Sequence, residues 1–117
     1  MAIENLKGAA AIPSEALEDR GIVDIPLSDP PCKLRGLTKA IVGRDDVQTG
    51  VWECSPGRFR RKNPHGEFMY FLSGECTFTS DEGEVLNIQG GDTLFFSPNT
   101  EGVWDIHTTV RKVYVLV

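Results

Sequence analysis

Glu67-Phe68-Met69-Tyr70-Phe71-Leu72-Ser73-Gly74-Glu75-Cys76-Thr77-Phe78-Thr79-Ser80-Asp81-Glu82-Gly83-Glu84-Val85-Leu86-Asn87-Ile88-Gln89-Gly90-Gly91-Asp92 is the stretch that decides the fold. Three short runs rich in aromatic and β-branched residues are broken by Gly74, by the polar Ser80–Gly83 loop and by Gly90-Gly91-Asp92. Each break offers a glycine that reverses the chain without a Cβ clash, and Asp92 can accept backbone N–H bonds in its turn. Short β-type runs at such spacing are the pattern of a sandwich or barrel. Within the first run side chains one apart face opposite ways, so Phe68, Tyr70 and Leu72 share one face and Glu67, Met69 and Phe71 the other.

The same pattern extends in both directions from Lys33 onward. Strands are expected at Leu37–Val42, Gly50–Cys54, Glu67–Leu72, Glu75–Thr79, Glu84–Ile88, Thr93–Phe96, Val103–His107 and Lys112–Val117, a jelly-roll complement. No sustained helical periodicity follows Gly21 and no solenoid-length repeat is present, so the expectation is an all-β, single-domain, antiparallel jelly-roll β-barrel over residues 33–117. Residues 1–32 read as an arm. Ser14 is placed to cap a short helix through Arg20 that Gly21 ends, Ile22–Pro26 reads as extended, and Asp29-Pro30-Pro31 turns the chain. The arm is expected to wrap the domain or a neighbouring subunit.

At 117 residues the chain has the length of one domain, and its 40% hydrophobic and 25% charged residues are ordinary globular composition. A net charge of −5 opposes phosphate backbones and anionic lipid, which argues against nucleic acid and membranes as partners. The one basic cluster, Arg58, Arg60, Arg61 and Lys62 around Phe59, reads as a solvated strand end that could still contact an anion locally. Three cysteines, Cys32, Cys54 and Cys76, make no C-x-x-C pair. They fit reduced thiols in a cytoplasmic protein, Cys54 and Cys76 serving as small buried hydrophobes. No apolar run approaches membrane-spanning length, and Met1–Ala11 lacks the order of a secretory signal.

Gly50-Val51-Trp52-Glu53-Cys54-Ser55-Pro56-Gly57-Arg58-Phe59, Glu67 to Gly74, Gly91-Asp92, Val103-Trp104 and Arg111-Lys112-Val113-Tyr114 together resemble the small single-domain cupins of the DUF861 (Cupin_3) family. That resemblance implies an RmlC-like jelly roll, and it extends toward ureidoglycine aminohydrolase and the ethanolamine-utilisation cupins, whose chemistry concerns small amines and acids. Metal-binding cupins take two histidines and a glutamate from their first motif and a third histidine from the second. Counted back from Gly74, Glu67 holds the glutamate position and Arg60–Asn63 stand where the histidine pair would lie; counted forward from Gly57, the pair becomes Asn63 and His65. The second motif reads Pro98-Asn99-Thr100-Glu101-Gly102-Val103, without the ligand histidine, and His107 lies beyond it near an exposed strand end. A transition metal wants three or four well-placed ligands. The sequence therefore implies no complete metal site and no cofactor, with His65 and Glu67 the only pair of candidate ligands.

A small barrel's pocket is walled by alternate residues of each strand. Trp52, Glu67, Trp104, Lys112 and Tyr114 are the candidate pocket residues, a set of aromatic walls with one carboxylate and one ammonium group suited to a small polar metabolite. Glu67 and Lys112 also read as a structural ion pair, and Phe71, Phe95 and Phe96 as core. Two functions are carried forward. One is a binding module for a small-molecule ligand. The alternative is a metal-assisted hydrolase acting on a small amine or amide, resembling ureidoglycine aminohydrolase-type cupins, with Glu67 helped by His65 or Lys112. The apolar residues on both faces of Glu67–Leu72, and the Ile22–Pro26 arm, point to a homodimer.

Overall fold

The computed structural model describes residues 3–117, so the first two residues of the Met1–Ala11 stretch lie outside the described residues. Two antiparallel sheets face one another as a jelly roll, with no continuous ring of hydrogen bonds joining them. The first contains six strands in the order β1 (Glu18–Ile22), β3 (Lys33–Ala40), β4 (Gln48–Cys54), β11 (Val110–Leu116), β6 (Glu67–Ser73) and β9 (Thr93–Phe96). The second contains β2 (Ile25–Pro26), β5 (Gly57–Asn63), β10 (Thr100–Ile106), β7 (Glu75–Ser80) and β8 (Val85–Gln89). Among the described residues no helix is long and apolar enough to cross a membrane.

Among the described residues eleven strands form where the sequence pattern marks eight, and the three additional ones have identifiable causes. The helix expected over Ser14–Arg20 does not form: only 3₁₀ turns appear, at Ala9–Ala11 and Ser14–Ala16, and the chain enters β1 at Glu18. So short a helix cannot recover its nucleation cost alone, whereas β1 gains a ladder with β3. Gly21, at φ 77°, sits where that ladder's register shifts, not at a helix end. Ser14 makes no capping bond; its hydroxyl donates to Glu53 at 3.0 Å instead. β2 pairs with β5, so Ile25 and Pro26 extend the chain's own second sheet.

The third strand, β5, was concealed by its charge. Arg58, Arg60 and Lys62 alternate with Phe59, Arg61 and Asn63, and the segment runs antiparallel to β10 along its full length, Gly57 opposite Ile106 and Asn63 opposite Thr100. Outward cations are compatible with a strand whose other face is needed, because alternation lets the two faces have opposite polarity.

Between the sheets Met69 and Phe71 of β6, Phe78 of β7, Trp104 and Ile106 of β10, Tyr114 of β11, Ile88 of β8 and all three cysteines form one core. The inward faces of β6 and β11 are thus Glu67, Met69 and Phe71, and Lys112 and Tyr114, as strict alternation requires. Phe71 is fully buried, but Phe95 is not core: it is 75% exposed on the outer face, its ring centroid 5.0 Å from that of Phe68. Its neighbours Leu94 and Phe96 pack against the core, which places Phe95 on the opposite side of β9.

Arg111 joins the amino-terminal arm to the outer face of the first sheet. Its guanidinium donates to Glu53 Oε1 at 2.8 and 3.2 Å and to the carbonyls of Ala9, Ala10 and Ile12 at 2.5–3.3 Å. One buried cation thereby satisfies a carboxylate on β4 and three carbonyls of a segment that has no strand of its own.

Candidate functional site

A cavity of about 390 Å³ lies between the sheets. Trp52 on β4, Glu67 on β6, Trp104 on β10, and Lys112 and Tyr114 on β11 all line it. The five candidate pocket residues are thus brought together by four strands of both sheets, each through the inward register of its strand. Its size is within the range of sites for small molecules.

The polar centre of the wall is an ion pair held by the fold. Lys112 Nζ donates to Glu67 Oε2 at 2.8 Å and to Met69 Sδ at 3.3 Å, while Asn63 Nδ2 donates to Glu67 Oε1 at 2.7 Å. Asn63 is oriented in turn by the backbone N–H of His65, which donates to its Oδ1 at 3.0 Å. Lys112 Nζ also sits 4.5 Å from the Trp52 ring centroid and 5.6 Å from that of Trp104, where the negative faces of the indoles favour a cation. Burial pushes the Lys112 pKa below its ordinary value, and the charge of Glu67 and its hydrogen bond oppose the shift. On the remaining wall Phe78 packs on Trp104 at 4.8 Å and on Phe96 at 4.9 Å between centroids, a semi-rigid aromatic surface.

Sequence reasoning did not place Asn63 or Arg61 in the pocket; both share the register of β5 that faces the cavity and both line it, Asn63 buried and Arg61 exposed. The available signal was the alternation of Phe59, Arg61 and Asn63 against Arg58, Arg60 and Lys62. Arg60 and Lys62 also line the cavity but have carboxylate partners: Arg60 pairs with Asp81, and both cations approach Glu101, at 3.5 and 3.3 Å. Opposite Arg61 on β10 stands Gly102, where a Cβ would come within 2.3 Å of the Thr79 carbonyl oxygen. A residue with no side chain is required there, because the Thr79 carbonyl and the edge of the Phe78 ring already fill that position.

His65 does not join the wall; it is exposed in the turn between β5 and β6, and His107 is exposed after β10. Among the described residues no group of three His, Cys, Asp or Glu side chains is placed to hold a metal ion. The donors also fit one poorly. Both oxygens of Glu67 are engaged, one by an ammonium ion that would repel a metal cation, and the neighbouring inward side chain of β5 is a guanidinium. The thiols offer nothing to the cavity: all three are buried, with their pKa values raised by burial, that of Cys76 to about 12.

Two facing antiparallel sheets with a polar cavity between them define the cupin class of jelly rolls. The profile of the EutQ-like cupin domain, Cupin_3, matches residues 43–114, and the chain belongs to that family. A DUF861 protein of unknown function from Pseudomonas syringae pv. tomato is similar over 86% of this chain at 24% identity, with a TM-score of 0.77. This chain covers 44% of that protein's length, less than half of it. The Clostridium difficile EutQ protein aligns over 80% of this chain and 79% of its own at 16% identity, TM-score 0.65. A DUF861 protein from Thermotoga maritima aligns over 57% of this chain and 76% of its own at 28% identity, TM-score 0.56. Among curated proteins none matches the chain.

Proposed function

We propose that the protein is a binding module whose inter-sheet cavity takes a small polar metabolite. The observation that carries this reading is the Glu67–Lys112 pair, held in the cavity wall between two indole rings and supported by Asn63. A polar pair needed only for stability could be replaced by apolar side chains at little cost, so its position on an open cavity favours recognition of a polar ligand. Aromatic walls supply contact area, and the few polar groups fix orientation.

The chain has two tryptophans, Trp52 and Trp104, and both line the cavity, so intrinsic fluorescence reports on it directly. Titration with a panel of small amines, amides, acids and polyols, followed by emission and by thermal shift, tests the reading. A binder that perturbs emission and raises the melting temperature supports it; a panel that changes neither at millimolar concentration refutes it. We further propose a homodimer through the outer face of the first sheet, where Phe68, Tyr70 and Phe95 remain exposed at 38, 40 and 75%. Light scattering at micromolar concentration should give twice the 12.9 kDa of one chain, and the single-chain mass would exclude the dimer.

A further inference from the structure

We propose that the ligand class is a small carboxylate, received by the guanidinium of Arg61 together with the free N–H of Lys112. The inference rests on the reading of the cavity as a metabolite site and specifies the charge of what enters. It follows from an account of which groups in the wall are already used. The acceptor oxygens around the buried pair are each engaged: Glu67 accepts from Asn63 at one oxygen and from Lys112 at the other, and Asn63 Oδ1 accepts from the His65 backbone.

The donors are in surplus. Lys112 has three N–H groups and uses one on Glu67 and one on the Met69 sulfur. Among the described residues the Arg61 side chain makes no hydrogen bond and no salt bridge, although Arg58, Arg60 and Lys62 beside it all find carboxylates. The Tyr114 hydroxyl and the indole N–H groups of Trp52 and Trp104 likewise have no protein partner there. Among the described residues no buried side-chain nitrogen or oxygen is left unsatisfied, so these donors meet space that solvent or a ligand fills.

Glu67 cancels the charge of Lys112, whereas Arg61 has no carboxylate within ion-pair distance among the described residues and so has its guanidinium available to an anionic group. Asp24 also lines the cavity and opposes a second negative charge. A planar guanidinium meets a carboxylate with two parallel hydrogen bonds, and the aromatic wall of Trp104, Phe78 and Phe96 suits an apolar or π-bearing remainder. The whole chain carries −5, so the attraction must be local, and Arg61 is where it is local.

Matched ligands separate charge from shape. Propionate, propionamide and propylamine, then benzoate, benzamide and benzylamine, and inorganic phosphate, are titrated against tryptophan emission and thermal shift, for the intact protein and for Arg61→Gln and Arg58→Gln. The proposal expects carboxylates to bind at least about tenfold more tightly than their amides, amines or phosphate. Arg61→Gln should remove about that factor, and Arg58→Gln, on the outward face of the same strand, should remove none. Amides or amines binding as well as carboxylates, phosphate binding equally, or an Arg61→Gln affinity equal to the original would overturn the carboxylate assignment while leaving the cavity a metabolite site. Silence from every ligand in both readouts would overturn both.

Discussion

Removing one member of the Glu67–Lys112 pair should cost far more stability than removing both. Their side chains are only 6 and 8% exposed, and the contact is 2.8 Å, so either group left alone is a desolvated charge with no counterion. Breaking a buried pair from one side costs about 3–5 kcal/mol, whereas replacing both partners by apolar groups of similar volume is near neutral or favourable. For a 117-residue chain the entropy of unfolding is about 0.25 kcal/mol/K, so each kcal/mol shifts the melting temperature by about 4 °C. Glu67→Leu and Lys112→Met should therefore each lower it by about 12–20 °C, and the double variant should recover to within about 5 °C of the original. Asn63 keeps the Glu67 single variant from being a simple case, since its amide also loses a partner; this adds about 1 kcal/mol to that variant. Denaturant unfolding of the four proteins gives the coupling energy directly. Singles within about 1 kcal/mol of the original, or a double variant as unstable as the sum of the singles, would refute the view that this carboxylate and ammonium depend on each other.

Two further outcomes follow from the buried groups. Folding raises the pKa of all three thiols through burial, Cys54 most of all and Cys76 to about 12, so their contribution is complete below the unfolded value near 9 and is lost as pH rises through the folded values. Lys112, shifted down, acts in the opposite sense below its ordinary 10.5, but it is one group against three. Unfolding free energy should thus fall between about pH 9 and 11, by at most about 1.4 kcal/mol per thiol per pH unit, and Cys76→Ala should flatten the fall; an unchanged slope would contradict it. Arg111→Gln leaves Glu53 without its cation and three arm carbonyls without a donor. It should cost about 3 kcal/mol and open residues 9–16 to limited proteolysis before any other segment, and an unaltered cleavage pattern would show that the arm is held by other contacts.

The fold was legible because alternation and turn chemistry are local. Glu67–Asp92 contains three strands and their reversals within 26 residues, and each glycine break coincides with a chain reversal in the structure. The cavity membership of Trp52, Glu67, Trp104, Lys112 and Tyr114 was legible for the same reason, once strands were placed and one face of each was assigned inward. Charge hid β5, since four cations among seven residues read as a surface although Phe59 and Asn63, on alternate positions, are buried. In the arm the extended Ile25-Pro26 was legible but the helix over Ser14–Arg20 was misread, because the conformation there is decided by partners distant in sequence: Glu18 opposite Gly36 and the Ala9–Ile12 carbonyls on Arg111.

Local periodicity by itself determined that this chain is all-β, with strands of known faces and a short list of inward polar residues. Only the tertiary structure decided which of those residues are spent and which are free. Lys112 and Glu67 lie 45 positions apart, and Asn63 belongs to the other sheet. Whether a cation meets a carboxylate or open space depends on distances of a few ångströms between strands far apart in sequence. Arg60 and Arg61 are adjacent in sequence, identical in chemistry and both in the cavity lining, yet the pleat turns one onto Asp81 and gives the other no carboxylate.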